Sequence, residues 1–77
     1  MHEIKIKVED DFAPYDLINI TKVASESVKC VSLEKVGSYS VDAKSILGLF
    51  TLSLQKGDTI IVRSEDDYIL DKLNEIL

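Results

Sequence analysis

Few side chains in this chain have a type and setting that could do chemistry. Ser45 stands at the head of the stretch VDAKSILGLFTLSLQKGD, with Lys44 before it and an uncharged run behind it to Gln55. A serine so placed can cap a helix by accepting a hydrogen bond from its free amides, or it can be the centre of a site. His2 is the one histidine, and it lies at a terminus where side chains are usually mobile, so no catalytic role is expected of it. Cys30 is the one cysteine, which excludes an internal disulfide and a cysteine-based metal framework and suggests a buried structural thiol. Glu9-Asp10-Asp11 and Glu65-Asp66-Asp67 lack the alternating ligands and the glycine of a calcium loop. They read as solvated acidic ends of elements, and neither a metal nor a cofactor is expected.

The chain around these residues is short. Seventy-seven residues make one domain, in which folding buries only about 60 to 65% of the unfolded surface, so the core must be efficient. Hydrophobic residues at 45% and charged residues at 30% match an ordinary globular domain rather than a disordered chain. The uncharged run from Ser45 to Gln55 is about half the ~20 residues of a membrane span. The N-terminal MHEIKIKVEDD has no apolar signal core, and the protein reads as cytoplasmic with no membrane partner. A net charge of −5 has the wrong sign for a polyphosphate backbone, which argues against direct nucleic-acid binding.

Periodicity then places the elements. Ile4, Ile6 and Val8 alternate with charged residues and form one face of a half-buried strand. Phe12-Ala13-Pro14-Tyr15 reads as a loop, because Pro14 lacks a donor and restricts Ala13 before it. Asp16 can cap a following helix, in which Leu17, Ile20, Ala24 and Val28 share a stripe despite several β-branched neighbours. Val31 to Glu34 and Tyr39 to Val41 alternate about a glycine-containing connection, Lys35 to Ser38, and predict an antiparallel hairpin.

Ile46 to Leu54 suits either a short buried helix or a strand. Context favours a helix, capped by Ser45, with Ile46, Leu49, Phe50 and Ser53 on one stripe and Gly57 closing it. The β-branched run Thr59 to Arg63 predicts a fourth strand with apolar neighbours on both faces. Acids at 65–67 suit the first turn of a last helix, in which Ile69, Leu70, Leu73, Ile76 and Leu77 form an amphipathic face.

This order, with DAKSILGLFTLSLQKGDTIIV and its motif Lys44-Ser45-Ile46-Leu47-Gly48, resembles the HPr family of phosphocarriers of the bacterial sugar phosphotransferase system from Val31 to Leu73. The resemblance implies an α+β fold over residues 1–77: an open-faced sandwich, βαββαβα, with four antiparallel strands and three helices on one side. HPr proteins carry phosphate on a histidine at the start of their first helix, in a loop of the form Gly-aliphatic-His-Ala-Arg-Pro. The matching place here reads Asp11-Phe12-Ala13-Pro14-Tyr15-Asp16, with Ala13 at the histidine position and Tyr15 at the arginine position. Alanine offers no nucleophile, and Glu9, Asp10, Asp11 and Asp16 would repel a phosphoryl donor. No catalytic residue is expected, and the chain is not expected to be an enzyme.

The family's second phosphorylation site, the serine that a dedicated kinase modifies in many Gram-positive bacteria, falls on Ser45. A subgroup of the family, the Crh type, keeps this serine, lacks the histidine and serves as a corepressor partner of a transcription regulator. This chain is similar in arrangement but lacks the Ala-Arg-Pro that follows the lost histidine in Crh. The resemblance thus implies a non-catalytic regulatory or adaptor protein under control of phosphorylation at Ser45. Its expected partner is an HPr kinase or a transcription regulator. Leu47 and Phe50 would be exposed anchors for the partner, with Lys44 and Leu17 beside them, although a wholly buried set from Ile46 to Leu52 is the plainer reading. Two alternatives remain: a phosphocarrier using a non-histidine acceptor such as Tyr15 or Asp16, for which no base or basic cradle is evident, and an interaction domain that keeps only the fold.

Overall fold

The computed structural model describes residues 2–77. The elements follow in the order β1 (His2–Lys7), α1 (Pro14–Ser25), β2 (Val31–Lys35), β3 (Ser40–Asp42), α2 (Ile46–Leu52), β4 (Thr59–Ser64) and α3 (Asp67–Ile76). The strands form one antiparallel sheet in the order β1-β4-β2-β3, with β4 in the interior between Ile4↔Val62 and Leu33↔Val62 partners. The expected α+β sandwich is therefore the observed one.

Strand alternation decides which face the helices cover. Val31, Leu33, Ile60, Val62 and Ser64 are buried, with Ile4, Ile6 and Val41 half-buried beside them, and they meet Leu17, Ile20, Ala24, Leu49, Leu52, Ile69, Leu70 and Leu73 from the three helices. The opposite face carries Glu3, Glu34 and Arg63, with the Arg63 guanidinium 2.6 Å from Glu34 and 3.9 Å from Glu3. The Glu34 hydrogen bond leads the causes that raise the pKa of Arg63 above its ordinary value. The prediction of apolar neighbours on both faces of β4 is thus corrected, because the helices lie on one side only and Ile61 and Arg63 turn outward.

The ends of the helices differ from expectation in informative ways. α1 starts at Pro14 rather than after Asp16, since proline at N1 gives up an amide that would be unpaired anyway and brings a helical φ with it. Asp16 sits at N3 and reaches back to accept from the Ala13 N–H at 2.8 Å. Val28 is 98% exposed because α1 ends at Ser25, three residues short of the stripe that would have buried it. α2 ends at Leu52, closed by Ser53 in the left-handed region at φ 52° and not by Gly57. The Lys35 ammonium supplies the positive charge that the last turn of α2 lacks, donating to the carbonyls of Leu52 at 3.2 Å and Ser53 at 3.3 Å. Gly57, at φ 95°, instead turns the chain into β4, and its N–H donates to Val8 O at 2.9 Å. Ile76 is exposed although it was expected on the buried face of α3.

A polar cluster joins the ends of α1, β4 and α3. Ser27 Oγ donates to Asp66 Oδ2 at 2.6 Å and accepts from Lys29 N, Ser64 Oγ donates to Cys30 O, and Asp66 Oδ1 caps α3 by accepting from Ile69 N. Cys30 itself is exposed, which corrects the buried thiol: its carbonyl is held inward and its side chain precedes the first buried strand position, Val31. Hydrogen bonding from Ser27, more than any other cause, holds the Asp66 carboxyl below the usual carboxylate range. A depressed folded-state pKa gives stability that is present above the unfolded value, near pH 4, and is lost as the pH falls through the folded one. Asp66→Asn keeps one acceptor oxygen, enough for the Ile69 cap but not also for Ser27, and removes the titration, so it should melt lower at neutral pH while its melting temperature falls less steeply than wild type below about pH 4. Equal acid slopes in thermal melts of the two proteins would contradict this assignment.

Candidate functional site: the leading ends of the first two helices

The loop before α1 is held by hydrogen bonds to the turn that precedes β4. Val8 N donates to Asp58 O at 2.8 Å, Gly57 N to Val8 O at 2.9 Å, and Lys56 N to Asp11 Oδ1 at 2.7 Å. The Gln55–Asp58 turn therefore clamps the chain as it leaves β1. This sets an open cleft of about 310 Å³ lined by Glu9, Asp10, Asp11, Phe12, Tyr15, Asp16 and Leu77. Ala13 is the N-cap of α1 and contributes no side-chain acceptor, while Tyr15 in the first turn is 66% exposed. Among the described residues, none of the four carboxylates from Glu9 to Asp16 forms an ion pair.

His2 is not near this loop. It lies at the other end of the six-residue β1, about 20 Å away along the strand, with Nδ1 against Asp67 Oδ1 at 2.5 Å. The expected mobile terminus is instead tied to the start of α3. No imidazole stands at the head of α1, and among the described residues no three histidine, cysteine or acidic side chains converge as metal ligands would.

Ser45 caps α2 as its sequence position suggests. Its Oγ accepts from Gly48 N at 3.1 Å, its N–H donates to Asp42 O, and its own carbonyl accepts from Leu49 N. A Cβ on Gly48 would stand 3.1 Å from Val41 Cβ and 3.4 Å from Ser45 Oγ, so the absence of a side chain lets α2 begin close against β3. Loss of the hydroxyl in Ser45→Ala is expected to cost about 1 kcal/mol. In a domain of this size that lowers the melting temperature by about 4 to 8 °C. Ser45→Asp keeps an acceptor at the cap and should melt near wild type; a melt of Ser45→Ala indistinguishable from wild type would contradict the capping role.

The structure divides the four residues expected to contact a partner. Leu47 is 76% exposed and Phe50 is 47% exposed on one side of α2, while Leu49 between them is fully buried. Leu17, by contrast, is 7% exposed and packs in the core, so it is no surface anchor: its stripe on α1 faces the sheet. Lys44 is half-buried and its ammonium donates to Ser27 O at 2.7 Å, away from the Ser45 hydroxyl. That bond ties the start of α2 to the end of α1. Three further exposed residues on or beside these helices were not expected as contacts. Ile18 and Tyr15 are exposed on α1, which packs beside α2, and exposed Tyr39 hydrogen-bonds through its hydroxyl to Thr51 O at 3.1 Å. Ile18 was legible as the apolar residue off the Leu17–Ile20 stripe; Tyr39 depends on a hairpin folding back to α2.

A sequence model of the family described as the PTS HPr component phosphorylation site matches residues 16–77, most of the chain. The chain belongs to the HPr family. Among curated proteins none matches it in sequence. Solved structures similar to it include HPr-C-His from Thermoanaerobacter tengcongensis, at 22% identity and a TM-score of 0.86, covering 99% of this chain and 90% of that one. The histidine-containing phosphocarrier protein of Mycoplasma is 12% identical with a TM-score of 0.89, covering 97% and 90%. A phosphocarrier protein HPr from Bacillus anthracis is 22% identical with a TM-score of 0.80, covering 99% and 95%. At these identities the three structures speak for the HPr fold, while the family relationship rests on the sequence match. The chain is therefore related to the phosphocarriers of the phosphotransferase system, proteins that pass phosphoryl groups between enzymes and are not enzymes themselves. HPr proteins act through protein partners of that system, and no helix among the described residues is long and apolar enough to cross a membrane.

Proposed function

We propose that this HPr-family chain is a regulatory or adaptor protein that binds a protein partner through the exposed sides of α1 and α2, under control of phosphorylation at Ser45, and does not relay phosphate to sugars. The observation that carries this reading is the head of α1. By the resemblance the phosphohistidine position falls on Ala13; Ala13 is the N-cap of α1, and the adjoining cleft is lined by Glu9, Asp10, Asp11 and Asp16. The Mycoplasma relative is named for its histidine, whereas the single histidine of this chain is engaged with Asp67. A phosphoryl relay needs a reversible nucleophile and donors for the phosphoryl oxygens, and the cleft offers acceptors of negative charge instead.

Ser45 is the better place for a phosphate. It lies at the head of the Lys44-Ser45-Ile46 motif, is partly exposed, and opens α2 beside the exposed Leu47. A phosphoryl group there would add about −1.5 to −2 charges next to an apolar surface, altering how a partner docks more than how the chain folds. By the family resemblance the partner is an HPr kinase for the modification and a transcription regulator for the output, as in the Crh subgroup. Incubation with ATP and an HPr kinase, followed by intact mass measurement, should add one phosphoryl group to the wild type and none to Ser45→Ala. An unmodified wild type would remove the switch from this account.

A further inference from the structure

Two surfaces of different character meet at Tyr15. One is apolar: Tyr15 and Ile18 lie one turn apart on α1, Leu47 and Phe50 one turn apart on α2, and the two helices pack side by side. From Ser45 to Gln55 there is no charged side chain at all. The other is the cleft that Tyr15 also lines, where the segment from Glu9 to Asp16 holds four acidic residues and no basic one. Lys56 meets this loop through its backbone N–H on Asp11, but its ammonium forms no ion pair with the four carboxylates. Elsewhere Arg63 pairs with Glu34 and Glu3, Lys72 with Glu26, Lys35 with Asp58, and His2 with Asp67, while other single charges such as Lys5, Lys22, Asp71 and Glu75 are scattered over the surface. What sets residues 9–16 apart is sign: four carboxylates without an ion pair follow one another along the segment that leads into the exposed Tyr15, with Lys7 and Lys56 bordering it at Glu9.

From this juxtaposition we infer that the partner of the α1–α2 face is a basic amphipathic protein segment, resting apolar side chains on Tyr15, Ile18, Leu47 and Phe50 and reaching arginine or lysine side chains to Glu9, Asp10 and Asp11. The inference rests on the docking role proposed above and adds the chemistry of the partner to it. An apolar patch supplies affinity without orientation, whereas a one-sided band of charge fixes direction and rejects acidic competitors. The clamp of the loop onto the Gln55–Asp58 turn matters here, because it fixes the backbone at Val8 and the Asp11 carboxylate on either side of Glu9 and Asp10 before the partner arrives.

The test titrates the isotope-labelled full chain with an amphipathic helical peptide built of leucine and lysine, and with its leucine and glutamate counterpart, following backbone amide shifts. The lysine peptide is expected to shift amides of residues 9–18 and 46–51, and to bind about tenfold more weakly when salt is raised from about 0.05 M to about 0.5 M. The double variant Glu9→Lys with Asp10→Lys should weaken it by about tenfold as well, while the glutamate peptide should leave the spectrum unchanged. Equal binding of both peptides at the α1–α2 amides would overturn the charge inference and leave the docking face standing. Lysine-peptide shifts spread equally over Glu65 to Asp67 would reduce the attraction to net charge and overturn it too, as would no binding. If residues 9–16 respond while 46–51 do not, and Leu47→Ser leaves the affinity unchanged, the docking face itself fails.

Discussion

Leu49→Ala is expected to cost about 3 kcal/mol, because Leu49 is completely buried where α2 meets the core and truncation leaves a cavity the short helix cannot fill by moving. A chain of this length has a total stability of about 4 to 12 kcal/mol, so the loss is a large share of it and should lower the melting temperature by about 12 °C or more. α2 is seven residues long, too short to persist without tertiary packing. It depends on Leu49 and Leu52 below, the Ser45 cap at one end and Lys35 on the carbonyls at the other. A cost under about 1 kcal/mol in denaturant or thermal melts would mean that α2 contributes little to the core.

The second large effect separates packing from recognition two residues away. Leu47→Ser should leave the melting temperature within about 2 °C of wild type, since a mostly exposed side chain contributes little to the core. It should nevertheless weaken partner binding by about thirtyfold, the effect of losing roughly 2 kcal/mol at a central apolar anchor. Phe50→Ser should act in the same direction with a larger stability cost, because about half of its surface is already covered. Calorimetric titration of the partner into each variant, paired with a melt, checks both halves. Loss of binding in Leu49→Ala alone, with Leu47→Ser unaffected, would relocate the binding surface.

Much of the fold was legible because its signals are local. Ile4-Lys5-Ile6-Lys7-Val8 alternates with a period of two, Ile69, Leu70 and Leu73 repeat with a helical one, and these elements fall where those patterns put them. The ambiguous run after Ser45 was resolved by its cap, and the bond from Gly48 N to Ser45 Oγ is the one the sequence position suggested. What was not legible depends on tertiary context. Val28 continues the α1 stripe in sequence, but the chain turns at Glu26 and Ser27, where Ser27 is bound to Asp66 from the far end of the chain. Leu17 and Leu47 are both apolar residues near helix starts, and only packing against the sheet shows that one is core and the other surface. Lys44 is expected beside the partner surface from its place next to Ser45, and its hydrogen-bond partner, Ser27 O, lies in another loop. The cleft at residues 9–16 needed the closing turn from Lys56 and the last residue, Leu77, to become a concave surface.

The central claim is that the chain keeps the HPr fold without its phosphoryl relay. The most direct measurement incubates the full chain with phosphoenolpyruvate and the first enzyme of the phosphotransferase system, beside an authentic HPr as control, and weighs the intact proteins under neutral conditions. With Ala13 at the head of α1 and His2 held at the far end of β1, the control should gain one acid-labile phosphoryl group while this chain gains none. An acid-labile phosphoryl group on this chain would contradict the account and return it to the phosphocarriers.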